Sequence, residues 1–88
     1  MVKDNKKALL KRLKIIEGQI RGLHSMVENG EYCVDVITQT SAVKRALSSL
    51  EDTLLEDHLS TCVIHQIHSG KEKNAVDEIL NVYRLKRK

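Results

Sequence analysis

The sequence contains no proline, phenylalanine or tryptophan, and these absences restrict the possible folds. Without proline, and with only four glycines, none beside another, in 88 residues, the chain favours long helices over a β-rich fold with many turns. Its aromatic side chains are two tyrosines, so a core must be built from Leu, Ile, Val and Ala. Such a core is thin for a lone chain of this length, which favours an oligomer.

Long apolar segments are also absent. No run approaches the roughly 18 apolar residues of a membrane span, and the first residues do not resemble a signal peptide. We therefore expect a single domain over residues 1–88 in the cytoplasm, away from the membrane. We do not expect an enzyme, because no glycine-rich phosphate loop is present and no nucleophile, base and carboxylate can be grouped by spacing within one chain.

The charge is distributed unevenly along the chain. Residues 1–21 carry a net charge of +5, residues 84–88 carry +4, and the middle, residues 22–83, carries −6. The overall net charge is small because the acidic middle offsets two basic ends. Basic segments of this kind favour a polyanionic partner that binds at particular surfaces.

The first half of the chain has the clearest periodic pattern. Apolar residues recur at alternating spacings of three and four, which predicts an amphipathic helix: Leu9, Leu13, Ile16, Ile20, Leu23 and Val27. Asp4 or Asn5 can cap its start, and Asn29-Gly30 can end it. The opposite side of the helix is a basic face: Lys3, Lys7, Lys14 and Arg21.

A second, unusually long helix is predicted from Glu31 to about Ile67, because no strong helix breaker interrupts this segment. Residues 69–72 predict a break, followed by a short third helix, and residues 84–88 are expected to form a frayed basic tail. A long apolar stripe cannot be covered by one shorter helix. Two copies of the first two helices therefore predict an antiparallel four-helix bundle.

Two cysteines and one histidine form a candidate metal site. On an ideal helix, Cys33, His58 and Cys62 lie within about 40° of one another, although Cys33 is about 40 Å from the other two. An antiparallel second copy would bring its Cys33 beside His58 and Cys62. Two thiolates and an imidazole suit Cu(I), or zinc if His65 joins as a fourth ligand. The alternative is that both cysteines are small interfacial hydrophobic residues.

The basic face of the first helix suggests a nucleic-acid contact, because an oligomer duplicates that face and adds phosphate contacts with each copy. The alternative is that the lysines serve solubility. No helix-turn-helix, zinc-finger or RNP pattern is visible, so groove shape and a few Lys or Arg contacts would have to provide specificity.

Several segments together resemble one protein family. They are Arg12-Leu13-Lys14, Glu17-Gly18-Gln19-Ile20-Arg21-Gly22-Leu23, Tyr32-Cys33-Val34-Asp35-Val36, Gln39-Thr40-Ser41-Ala42-Val43 and Leu55-Glu56-Asp57-His58-Leu59-Ser60-Thr61-Cys62. In combination they resemble the CsoR/RcnR family of bacterial metal-sensing repressors, over residues 9–83. The resemblance implies an all-α protein with three helices per chain. It also implies a dimer of antiparallel four-helix bundles, a homotetramer, that binds operator DNA when metal-free.

The resemblance also implies an inducer. Copper sensors of the family use Cys, His and Cys, which this sequence matches at Cys33, His58 and Cys62. Nickel or cobalt sensors use an N-terminal His and a His at the last position, and persulfide sensors lack the middle His. The outer shell of the copper sensors, a Tyr and a Glu, corresponds to Tyr32 and Glu78. The expectation is therefore a Cu(I)-responsive transcriptional repressor.

One position departs from the family pattern. An Arg that some copper sensors carry in the second helix is replaced by Ser49, so only Arg12, Lys14 and Arg21 are carried over as DNA contacts. Three other functions remain open: a thiol- or persulfide-responsive repressor, a repressor responding to zinc or nickel, and a metal-buffering protein without DNA binding.

Overall fold

The structure is a computed structural model, which describes the backbone of residues 3–87 and the side chains of residues 5–87. Within that range the chain is all-α, as predicted. The helices are α1 (Lys3–Glu28), α2 (Cys33–Asp57), α3 (Val63–His68) and α4 (Glu72–Arg87), and a π-helical turn, His58–Cys62, joins α2 to α3. No helix within these residues is long and apolar enough to cross a membrane.

Helix α1 ends where the sequence predicts. Gly30 has a φ of +66°, Gly30 N–H donates to the Val27 carbonyl, and Glu31 N–H donates to the Met26 carbonyl. This is a Schellman motif, in which glycine takes the left-handed position at no steric cost. The predicted cap is wrong, because the helix already begins at Lys3. The side chains of Lys3 and Asp4 lie outside the described residues.

Helix α2, the π turn and α3 form one continuous rod, which confirms the long second helix. The backbone stays in the right-handed helical region at both junctions, at Asp57 and His58 and again at Cys62 and Val63. The rod ends at a second Schellman motif, with Gly70 at a φ of +74°. The predicted frayed tail is wrong as far as the chain is described, since α4 stays helical to Arg87.

Helices α1 and α2 pack as an antiparallel hairpin. Leu9 and Ile16 of α1 and Val43 and Leu50 of α2 are buried. The rest of the predicted α1 stripe is less covered: Leu23 is half-buried, and Leu13, Ile20 and Val27 remain 42%, 50% and 66% exposed. The chain measures 55 × 29 × 14 Å, so it is a thin layer that cannot enclose a core on both faces.

Candidate metal centre

His58 and Cys62, two of the predicted ligands, are the first and last residues of the π turn. The wider hydrogen bonding of this turn is seen at its end, where Val63 N–H donates to the His58 carbonyl five residues earlier. Single π turns within α-helices occur frequently at functional sites. The turn still carries both residues around about one helical revolution, which keeps them on the same side of the rod.

Two hydroxyl side chains between these candidates bind main-chain carbonyls of the preceding turn. The Ser60 hydroxyl donates to the Glu56 carbonyl at 2.8 Å, and the Thr61 hydroxyl donates to the Asp57 carbonyl at 2.7 Å. Such bonds to the carbonyl four residues back compete with the regular helical ladder and bend helices. A single hydroxyl makes the same bond within regular α2, at Thr38, so the feature that distinguishes this turn in the sequence is that two adjacent residues, Ser60 and Thr61, both carry hydroxyls that make it.

Glu78 of α4 contacts the His58 imidazole. Its Oε2 lies 3.3 Å from His58 Nε2, and the two side chains are 49% and 30% exposed. In a neutral imidazole only one nitrogen carries the proton, and a carboxylate at Nε2 favours the proton there. Nδ1 then has the free lone pair that a metal ion needs. The same carboxylate oxygen accepts a hydrogen bond from Gln66 Nε2 at 3.2 Å, a contact that sequence reasoning missed.

Cys33 and Tyr32 lie at the other end of the rod. Tyr32 precedes the first turn of α2, Cys33 begins it, and both side chains are exposed. Twenty-five residues of helix separate Cys33 from His58, which corresponds to about 40 Å. The structure of one chain therefore places Glu78 against His58, with Cys62 along the wall of a cavity that all three line, and leaves Cys33 and Tyr32 remote from them. Within the described residues, no three His, Cys, Asp or Glu side chains form a group that could hold a metal ion.

A cavity of about 600 Å³ opens beside His58, between the end of α2 and α4. Most of its wall surface is apolar, and Leu54, Val82, Leu85 and Cys62 are among the residues that line it. The end of α4 is held to α2 by Lys86 Nζ, 2.9 Å from Asp52 Oδ1. The hydrogen bond to Asp52 raises the pKa of Lys86 above its ordinary value.

Asp57, directly before the π turn, is a second residue that sequence reasoning missed. Its side chain is buried, and its Oδ1 accepts a hydrogen bond from Asn5 Nδ2 at 3.3 Å. Asn5 was predicted as a helix cap, and instead it ties the first turn of α1 to the residue preceding His58. Contacts between residues 52 positions apart leave no trace in helical periodicity.

The three predicted DNA-contacting side chains differ in their exposure and in their contacts within the chain. Arg12 is half-buried and donates to Thr53 Oγ1 at 3.0 Å and to Ser49 Oγ at 2.7 Å, so its guanidinium joins α1 to α2. Arg21 lies 3.3 Å from Glu17 Oε1 in a solvent-exposed ion pair. Lys14 is exposed on the side of α1 that faces away from α2, as are Lys7 and Lys11.

Comparisons with known proteins agree with this architecture. The family model for metal-sensitive transcriptional repressors matches residues 5–84. The copper-sensing transcriptional repressor CsoR of Bacillus subtilis is 47% identical over 79 residues, covering 90% of this chain and 78% of that protein. The copper-sensing transcriptional repressor RicR of Mycobacterium tuberculosis is 48% identical over 68 residues, covering 77% of this chain and 68% of that protein.

A solved structure extends the agreement to three dimensions. The crystal structure of the copper-sensing repressor CsoR with Cu(I) from Geobacillus thermodenitrificans NG80-2 matches with a TM-score of 0.91 and 38% identity. The match covers 100% of this chain and 92% of that one. The predicted family resemblance is confirmed. The matched family consists of transcriptional repressors, which agrees with the expectation that the chain is not an enzyme. This chain belongs to the family of metal-sensitive transcriptional repressors.

Proposed function

We propose that this protein is a Cu(I)-responsive transcriptional repressor that binds operator DNA when metal-free and leaves it when copper binds. The observation that carries the proposal is the π turn, which has a thiol and an imidazole at its two ends and a carboxylate against the imidazole. The copper-sensing relatives that match most of the chain support the same inducer.

The metal site is proposed to lie between two copies of the chain. His58 and Cys62 come from one copy and Cys33 from an antiparallel second copy, since the rod keeps the two ends about 40 Å apart within one chain. The donor set suits the ion, because thiolate and imidazole ligands select Cu(I) and three of them match its low coordination number. His65, three residues beyond Cys62 on α3, is exposed and is the candidate fourth ligand for zinc.

This chain's own residues prepare the site before any ion arrives. Glu78 holds the proton of His58 at Nε2 and directs Nδ1 away from α4, so no rearrangement of the imidazole proton is needed on binding. Tyr32 precedes Cys33 and would enter the site with it from the second copy. Bound Cu(I) would join the two copies through these ligands and favour one arrangement of the bundle over the other.

DNA binding is proposed for the side of α1 that faces away from α2. Lys14 and Arg21 are exposed there, and assembly of two or four copies would multiply the number of phosphates they neutralise. Arg12 lies at the boundary between α1 and α2 and has donors left over after its two hydroxyl contacts. The homotetramer and its operator belong to this proposal, as does a cytoplasmic location in contact with DNA.

The test is the response of operator binding to copper in two variants. Cys33→Ala and Cys62→Ala are expected to bind operator DNA with wild-type affinity but to stay bound when stoichiometric Cu(I) is added. A mobility-shift or fluorescence-anisotropy titration measures both properties. Release of either variant by Cu(I) at the wild-type concentration would contradict the assignment of these ligands. His68→Ala is the control, because this exposed histidine lies outside the proposed ligand set.

The same titration distinguishes the other functions. Release by Zn(II) or Ni(II) but not Cu(I) would indicate another metal sensor. Release after sulfide or peroxide treatment, with a covalent Cys33–Cys62 dimer on non-reducing gels, would indicate a thiol sensor. A metal-buffering protein would bind Cu(I) but show no salt-dependent binding to its own upstream DNA.

A further inference from the structure

Gln66 lies one helical turn beyond Cys62, on α3, and reaches across to α4. Its side-chain nitrogen donates to the Glu78 oxygen that also contacts His58 Nε2, with distances of 3.2 and 3.3 Å. Two donors from the rod therefore converge on one carboxylate oxygen. The amide must present its nitrogen to Glu78, because an ionised carboxylate only accepts hydrogen bonds.

The remaining half of the amide is also constrained. Gln66 Oε1 is buried and has no hydrogen-bond partner within the described part of the chain. A buried acceptor without a partner normally costs free energy, so this orientation is retained against a local cost. A contact to a charged group is stronger than one between neutral groups, and the Glu78 carboxylate supplies it.

From this geometry we infer that Gln66 is a positioning residue for copper sensing. By fixing the Glu78 carboxylate, it fixes the proton of His58 at Nε2 and leaves Nδ1 open for the metal ion. Because Gln66 and Cys62 lie on successive turns of the same rod, a displacement of Cys62 on metal binding would also move the donor that holds Glu78. The inference deepens the proposed function and depends on it for the copper response.

The primary test uses the metal-free protein. Gln66→Met keeps the length of the side chain and removes its donor, and His68→Ala is the matched control at an exposed position of the same helix. Nitrogen NMR of the imidazole, at a pH where the ring is neutral, reports which His58 nitrogen carries the proton. We expect a single Nε2-protonated form in the wild type and the control, and a mixture of both forms in Gln66→Met.

The second readout is the copper response. Allosteric couplings are typically about 5- to 150-fold, and we expect Gln66→Met to reduce the effect of Cu(I) on operator affinity by about 3- to 10-fold. Operator affinity without metal should stay within about twofold of wild type, since Gln66 is remote from the basic side of α1. Far-UV circular dichroism and thermal unfolding verify that the variant is folded.

The outcomes separate the inference from the proposed function. An unchanged His58 proton position in Gln66→Met would overturn the positioning role, even if the copper response fell. A changed proton position with wild-type copper release would overturn its contribution to sensing. If Cu(I) does not release the wild-type protein from DNA, the proposed function fails, while the NMR comparison still decides whether Gln66 positions Glu78 and His58.

Discussion

At the scale of single residues, Arg12 combines a packing contact with a proposed recognition role. Its two terminal nitrogens donate to hydroxyls of Thr53 and Ser49 on α2. Some copper sensors carry an arginine where this chain has Ser49, and two guanidinium groups there would repel each other and attract phosphate more strongly. In this chain the short Ser49 side chain instead accepts a hydrogen bond from Arg12 and holds it against α2, so the boundary between α1 and α2 has one positive charge fewer per copy than in those sensors.

Arg12→Ala and Lys14→Ala are therefore expected to differ in their effect on stability, whereas both should weaken DNA binding. Arg12→Ala loses two interhelical hydrogen bonds, which corresponds to about 1–2 kcal/mol of unfolding free energy. Lys14→Ala should change stability by less than about 0.5 kcal/mol, because this exposed side chain has no such contact. Denaturant unfolding measures both values.

DNA titrations at several salt concentrations complete the comparison of these two variants. Affinity falls as salt is added, and each lost phosphate contact should make the negative slope of log affinity against log salt less steep by about 0.9. A Lys14→Ala variant with an unchanged slope would remove Lys14 from the proposed DNA surface. Equal stability of Arg12→Ala and wild type would show that the contacts to Thr53 and Ser49 do not join the helices in solution.

At the scale of elements, the π turn is where the rod departs from regular geometry, and it contains two of the three candidate ligands, His58 and Cys62. Hydroxyl groups of Ser60 and Thr61 bind carbonyls that precede them by four residues. A regular α-helix is the more stable alternative for most sequences, since π-helical segments are rare. The irregular turn therefore coincides with the proposed metal site, as π turns within α-helices often do.

Removal of the two hydroxyls should relax the turn toward a regular helix. The double variant Ser60→Ala, Thr61→Val is expected to keep or raise the unfolding free energy, within about 1 kcal/mol, because back-bonded hydroxyls slightly destabilise helices. Its copper-induced release of DNA should nevertheless weaken, since His58 and Cys62 change their relative orientation. Unfolding curves and operator titrations with Cu(I) provide the two measurements.

Thr38→Val is the matched control for the hydroxyl variants. Thr38 also donates to the carbonyl four residues earlier, that of Val34, but lies within the regular part of α2. It should leave the copper response unchanged. A double variant with a wild-type copper response would contradict the role given to the irregular turn.

Sequence periodicity predicted the helices well and the contacts between them poorly. Gly30 follows the end of α1 and Gly70 follows the end of the rod, as expected, because a Schellman motif needs a residue in the left-handed conformation. The π turn was not predicted, since helical spacing assumes regular geometry. The partners of Arg12, Gln66 and Asp57 were also missed, because they depend on how two helices are rotated against each other. The family motif supplied Glu78, and its contact with His58 was found in the structure.

At the scale of the whole molecule, the thin hairpin has exposed apolar side chains that one chain cannot bury. On one face, Ile20 and Val27 of α1 adjoin Val36 of α2 around an open cavity of about 570 Å³. Leu13 and Leu47 are also exposed, at 42% and 38%. Contiguous apolar surface of this kind marks an interaction face, and an antiparallel copy of the hairpin would cover it.

Ile20→Glu should therefore prevent assembly. A carboxylate buried without a partner is expected to cost about 3–5 kcal/mol per copy, so the protein should sediment as a monomer at micromolar concentration. Both Cu(I) binding through three ligands and tight operator binding should be lost with it. Sedimentation velocity gives the mass, and Ser25→Glu, on the outward side of α1, controls for the effect of the added charge on assembly and on Cu(I) binding, but not on operator binding. A tetrameric Ile20→Glu variant would contradict this interface.

The length of the rod has a consequence for when the sensor can respond. In the proposed site between two copies, the ends of the rod, about 40 Å apart, belong to different metal sites, so a newly made chain would carry only an incomplete half of each. Metal capture and subunit association are then thermodynamically linked, so copper stabilises the assembly and dilution of the protein weakens its hold on copper. The copper concentration needed to release the repressor from DNA would thus depend on how much repressor the cell contains. It would be higher when the repressor is scarce than when it is abundant.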